Sequence, residues 1–281
     1  MSIIHYQSGA GGIFANVYFV ETTHGVIAVD TTLSVSEGKA LRARVDSLHK
    51  PLLAVLLRHG HPDHYNGVTT LLAGDTTVPV LSTVGVDSVI RANDAAREQQ
   101  WRPVFKDEWP VRSTFPSLSV RDSTTVVFDG LSFTVRSIGL GESHGDSYWV
   151  MHGPHSEAFI GDVVLNHVHA YPSDGHSTAW LHNRDRVEGE LKRQRVATVY
   201  PGHGDSGSLG LFNWERRCLT TYRNAVRELG RGKPALTDAQ KQELARRMLA
   251  FLSTYRLSFL IPLGADPVAA DLAGLTAGQR R

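Results

Sequence analysis

The sequence predicts an α/β protein with a helical tail, and three observations carry that expectation. Short β-rich runs recur through the first two hundred or so residues and are punctuated by helical periods. The run "PLLAVLL" at 51–57 is apolar throughout rather than alternating, as expected of a strand covered on both faces. From residue 211 onward the pattern is helical, which suggests one catalytic unit over 1–210 and a helical extension over 211–281 packed on the same domain.

Taken in order, "NVYFVET" and "GVIAVDTT" read as two strands separated by "THG". "SVSEGKALRARVDSLHK" follows as a helix with Leu41, Val45 and Leu48 on one face and Ser36 as its N-cap. "PLLAVLL" is the buried strand, "GVTTLLAG" a short helix and "VPVLST" a further strand. "TTVVFDGLSFTVRSIG" is a hairpin turning at Asp129-Gly130. "SYWVMHG" and "EAFIGDVV" form another strand pair, and "VATVYPGHG" is a strand ending in a glycine-flanked loop. In the tail, "NWERRCLTTYRNAVRELG" ends at Gly230, and "LTDAQKQELARRMLAFLSTY" opens with a capping box from Thr237 to Gln240. Two stretches, 97–117 and 166–183, lack clear periodicity and read as functional loops or poorly ordered segments.

Composition narrows the classes. The chain has 281 residues, is 41% hydrophobic and carries a formal net charge of +1. That charge gives no electrostatic argument for nucleic acid or an anionic membrane as partner, and a small molecule is the expected ligand. The oligomeric state is left open. Cys218 is the single cysteine and reads as a helix residue without a role. No basic segment leading into an apolar one opens the chain, and a cytoplasmic protein is expected.

The chemistry concentrates in "LLRHGHPDHYNG", where His59, His61, Asp63 and His64 fall within six positions directly behind the buried strand. Imidazole and carboxylate are the prevalent nitrogen and oxygen ligands of metal ions. On an extended segment His59, His61 and Asp63 point one way and His64 the other, a layout able to feed two adjacent ions. Three further candidates each follow a strand: His144 in "GESHGDSYW", Asp162 in "FIGDVV" and His203 in "YPGHGDSG".

In that succession, HxHxDH then His, Asp and His, the chain resembles the metallo-β-lactamase superfamily, in its glyoxalase II and lactonase-like branch. "GVIAVDTT", ending in Asp30, also looks like that superfamily's early strand. The resemblance implies an αβ/βα four-layer sandwich with ligands on loops at one sheet edge. It implies that one ion takes His59, His61 and His144, that the other takes Asp63, His64 and His203, and that Asp162 bridges them. Two divalent ions follow, zinc first, with iron or manganese as alternatives. The implied reaction is hydrolysis of a small ester, lactone or thioester by a metal-bridging hydroxide, which Asp63 orients as the catalytic carboxylate. The alternative is a mononuclear iron dioxygenase of persulfides, since such relatives share the ligand order.

Several positions depart from relatives. The bridging Asp162 and the absence of an export signal argue against a true β-lactamase. His61 stands where flavin-coupled diiron relatives carry Glu, and Leu165 stands where many lactonases carry Tyr. Arg58 precedes the first ligand and by alternation should point away from it, toward Asp30 as a supporting pair. Trp101, Trp109, Trp149 and Trp180 lie in or near the irregular stretches, and Trp149 and Trp180 are the expected substrate contacts. His167, His169, His176 and His182 should lie near the mouth of the site.

Overall fold

The structure is a computed structural model and describes residues 1–254 and 256–274. Residues 275–281, the end of the expected helical extension, and Tyr255 lie outside the described residues.

The chain forms β1 (Ser2–Gln7), β2 (Asn16–Glu21), β3 (Val26–Val29), α1 (Val35–Ser47), β4 (Leu52–Leu56) and the short helices α2 (Pro62–Tyr65) and α3 (Val68–Leu72). There follow β5 (Val80–Thr83), α4 (Val84–Phe105), β6 (Leu118–Val120), β7 (Thr125–Phe128), β8 (Leu131–Gly139), β9 (Asp146–His152) and β10 (Glu157–Gly161). The remainder is α5 (Ser177–Arg193), β11 (Thr198–Pro201), α6 (Gly210–Gly230), α7 (Asp238–Phe251) and α8 (Ala265–Leu272).

Two mixed sheets result. The first runs β1-β2-β3-β4-β5-β6, with β3 to β6 parallel; the second runs β11-β10-β9-β8-β7, with only β10 and β11 parallel. Side-chain alternation explains why helices cover the outside. Along β2 and β3, Tyr18, Val20, Ile27 and Val29 face the opposite sheet, whereas Val17, Phe19, Val26 and Ala28 face the helices. Along β9, Trp149 and Met151 point between the sheets and Tyr148 and Val150 point out, toward Val187 and Leu191 of α5 and Phe212 of α6. Both faces of each central strand are apolar, so only a four-layer αβ/βα sandwich buries them all. This is the fold class expected from the sequence.

Two local expectations are corrected. The N-cap of α1 is Ser34, whose hydroxyl accepts from Glu37 N; Ser36 lies inside the helix, with its hydroxyl and N–H donated to Glu108. The stretch 97–117 is not irregular throughout, because α4 continues to Phe105 with Pro103 in its last turn. There the missing N–H removes a single bond, and the helix tolerates it. Likewise 166–183 is a loop only to His176, after which α5 begins. The hairpin turn Asp129-Gly130 forms as expected, both residues having positive φ.

Beyond residue 210, α6, α7 and α8 share an apolar cluster centred on Tyr222, Leu244, Met248, Ile261 and Val268. No described helix is long and apolar enough to cross a membrane.

Candidate metal centre

The site forms where strands end. β3, β4, β8, β10 and β11 all run out at the same edge of the sandwich and carry Asp30, the His59–His64 segment, Glu142, Asp162 and His203 on the loops that follow. The bridge between Ala15 and His203 and the bond from Asn16 N to Gly202 O, 2.7 Å, tie the two sheets together there. His61 caps α2, and Pro62 occupies its first turn, so Asp63 and His64 ride on a helical turn rather than a free loop.

Two groups of donors converge among the described residues. His59, His61 and Glu142 form one; Asp63, His64, Asp162 and His203 form the other, and in each group the donor atoms lie within 4.8 Å of one another. In the first, Glu142 Oε2 is 2.8 Å from both His59 Nε2 and His61 Nδ1, which are themselves 2.8 Å apart. In the second, His203 Nε2 is 3.1 Å from Asp63 Oδ2, and His64 Nε2 is 3.3 Å from Asp63 Oδ2 and from Asp162 Oδ2. The groups adjoin, with the His59 and His64 rings 4.9 Å apart.

Each imidazole is held from behind. His59 Nδ1 is 2.6 Å from Asp146 Oδ1, and His64 Nδ1 is 2.8 Å from Asp30 Oδ2. His203 Nδ1 is 3.2 Å from Phe14 O, and His61 Nε2 is 3.5 Å from Asp174 Oδ2. A backing acceptor places the ring proton on the outer nitrogen and leaves the inner lone pair free to coordinate. Asp30, at positive φ, is itself clamped: Arg58 donates to it from its backbone N and its Nε, both at 2.9 Å. Arg58 thus points away from the donors toward Asp30, and Arg58, Asp30 and His64 are all fully buried.

The imidazoles and carboxylates of the two groups set one another's charge. Burial alone would lower the His59 and His64 pKa values, yet the carboxylates beside them hold both well above the ordinary range. His203 is likewise raised to about 9 against its burial, chiefly by Asp162. Burial would raise Asp63 and Asp162, but the facing imidazoles hold both well below the ordinary carboxylate range. His64 Nε2, Glu142 Oε2 and Asp162 Oδ1 are buried without a hydrogen-bonding partner. Buried polar atoms in that state are rare. Nitrogen and oxygen donors at these separations fit two divalent ions, and they satisfy those atoms as protons alone do not.

One expected ligand is displaced. His144 is not in either group: its side chain is 42% exposed, and Nδ1 contacts His176 Nε2 at the rim. Glu142, two residues earlier, is the third donor grouped with His59 and His61. Asp146 and Asp174, which hold His59 and His61, lie outside the sequence candidates, because alternation behind the strand singles out only the inward donors. Asp162 has Oδ2 on the second group and Oδ1 free of a partner.

The expected substrate contacts are corrected too. Trp149 is fully buried between the sheets, with Nε1 donating to Leu57 O, and Trp180 is fully buried under the 163–171 loop, with Nε1 donating to Val163 O. Neither lines the cleft over the donors. That cleft is lined instead by Leu33, Trp101, Phe105, Tyr171 and Leu257 along with Asp63, Glu142, Asp162 and His203. Trp109 is buried beside Phe105, at 6.3 Å between rings. Of the loop histidines, His169 lines the cleft and His176 reaches its rim, while His167 stacks on Trp214.

Comparisons with known proteins agree with this architecture. A family model described as a beta-lactamase superfamily domain matches residues 26–183. No curated protein matches in sequence. Among solved structures, a metallo-beta-lactamase from Pontibacter korlensis superposes with a TM-score of 0.59 at 17% identity, covering 73% of this chain and 87% of that one. The DIM-1 metallo-beta-lactamase gives 0.59 at 17% identity, covering 78% and 93%. The mono-zinc form of FIM-1 from Pseudomonas aeruginosa gives 0.56 at 15% identity, covering 78% and 89%. Identities this low speak for the fold alone, but the family match spans more than half of the residues and contains the His59–His64 segment. This chain therefore belongs to the metallo-β-lactamase superfamily.

Proposed function

We propose that this protein is a dinuclear metal-dependent hydrolase of a small ester, lactone or thioester. The observation that carries the reading is the pair of adjoining donor groups, each with two imidazoles and a carboxylate of its own, beneath a single cleft. Two divalent ions in such groups polarise a carbonyl oxygen and ionise water near neutral pH. His59, His61 and Glu142 would hold one ion and Asp63, His64 and His203 the other, and Asp162, which belongs to the second group and keeps Oδ1 without a hydrogen-bonding partner, would be the ligand they share. Asp63 lines the cleft, where it would orient the proton that remains on the attacking hydroxide. The backing contacts of Asp146, Asp30, Asp174 and Phe14 O fix the rings before substrate arrives, as preorganisation requires.

One observation favours a second reading. Two imidazoles with one carboxylate, as in His59, His61 and Glu142, is also the donor set of mononuclear iron oxygenases. The complete second donor group favours the two-ion hydrolase.

Metal analysis and isotope labelling decide. About two ions per chain, and oxygen-18 from water in the product acid of an activated ester or thioester, are expected. One iron per chain with consumption of dissolved oxygen overturns the hydrolase and leaves the oxygenase.

A further inference from the structure

We propose that the cleft carries an apolar subsite that holds an uncharged alkyl or acyl group of the substrate, lined by one face of α4 and the turn at 257–260. The chemistry beside it rests on the hydrolase reading; the binding does not.

Trp101 and Phe105 stand four residues apart on α4, with rings 6.1 Å apart, and both line the cleft that contains the donor carboxylates. Positions i and i+4 share a helix face. Arg97, one turn earlier on that face, also lines the cleft, and its guanidinium donates to Gly60 O, between the ligands His59 and His61. The helix that presents the apolar wall is therefore pinned to the ligand loop, so a group lying on Trp101 is placed at a fixed offset from the donors. Further apolar lining comes from the other end of the chain. Leu257, at φ 60, starts a 3-10 turn that presents Phe259 and Leu260 to the same cleft. Leu260 is buried against the loop after Asp162, whereas Phe259 is 53% exposed.

Apolar lining from two parts of the chain beside the donor groups leaves wet hydrocarbon surface that a ligand would cover. Arg97 is the one arginine or lysine lining the cleft among the described residues, and it is engaged with the backbone. The wall thus offers no uncommitted cation to an acidic tail, and selects for hydrocarbon.

Straight-chain alkanoates from acetate to octanoate, titrated calorimetrically into metal-quantified protein, test the subsite without turnover. The dissociation constant is expected to fall by about two- to fourfold per added CH2 over the first several carbons. Phe259→Ala, at an exposed position that leaves the core intact, and Trp101→Ala are each expected to flatten that dependence. p-Nitrophenyl esters of the same acids should show the same trend in kcat/KM. Affinity independent of chain length, or a length dependence unchanged in both variants, overturns the subsite. Length-dependent alkanoate binding with no turnover of any ester supports the subsite and counts against the hydrolase reading. Turnover indifferent to length, with length-independent binding, does the reverse.

Discussion

Each imidazole of the centre turns one nitrogen inward and gives the other to a fixed acceptor, and this two-sided use sets what single substitutions should do. Glu142 is the point of greatest leverage. Its carboxylate oxygen is 2.8 Å from both His59 and His61, so Glu142→Ala removes a third of that donor group and its only own negative charge. About one ion per chain should be lost on elemental analysis. His144→Ala should keep both ions, since His144 lies at the rim against His176. The opposite pattern would restore His144 as the ligand. Asp30 is the second lever. Its carboxylate accepts from Arg58 and pairs with His64 in a fully buried setting. Burial would raise its pKa, and the Arg58 charge followed by the His64 contact hold it low. Arg58→Met leaves that charge buried without its main partner, which costs about 3–5 kcal/mol. Denaturant titration should show a loss of that order, with His64 ligation weakened alongside. A variant as stable as the parent would mean that Asp30 takes up a proton at little cost.

At the scale of elements, the supports of the site are helices that sequence periodicity renders poorly. β4 and the motif behind it are legible because a continuous apolar run followed by four ligand-type residues has few other meanings. The helical character of 97–105 is not legible in that way: Pro103 and Pro110 read as breakers, and the residues around Trp101 are mostly polar. α4 is started locally by the Thr83 cap and held by tertiary packing of Val86 and Ile90 on the first sheet. Glu142 escaped for a different reason, since in "GESHGDSYW" histidine is the better ligand by residue type and only the backbone path puts Glu142 inward. Trp180 reads as a substrate contact because it falls in the 166–183 stretch that lacks clear periodicity. On α5 it instead packs with Leu165, Val168 and Leu219 under the loop. Trp180→Ala should therefore cost about 3–5 kcal/mol of stability through a large cavity. KM should change little at temperatures where the variant is folded. A raised KM with unchanged unfolding free energy would return Trp180 to the cleft wall.

At the scale of the molecule, one acid joins the helical layer to the metal loop. Glu215 on α6 is fully buried, and its Oε2 accepts from Leu165 N at 3.1 Å, three residues after Asp162. Its Oε1 has no hydrogen-bonding partner. Burial raises its pKa; the Leu165 N–H and Arg184 oppose this, Asp162 and Glu142 reinforce it, and the result is about 8. In the unfolded chain the same carboxyl titrates near its ordinary value of 4.5. The folded state thus holds a proton that the unfolded state has released between these two values. Stability from this group is complete below the unfolded pKa, falls as pH rises through the interval and levels off above the folded pKa. The slope within the interval is about 1.4 kcal/mol per pH unit. Glu215→Gln keeps an acceptor for Leu165 N and carries no titrating proton, so it lacks this slope. Metal ligation also responds to pH, but equally in both proteins, and cancels in their difference. Unfolding free energies measured near pH 5 and near pH 9 should therefore show the variant gaining on the parent by a few kcal/mol at the higher pH. Parallel curves would mean that Glu215 is ionised in the folded state, with Arg184 drawn in as its partner.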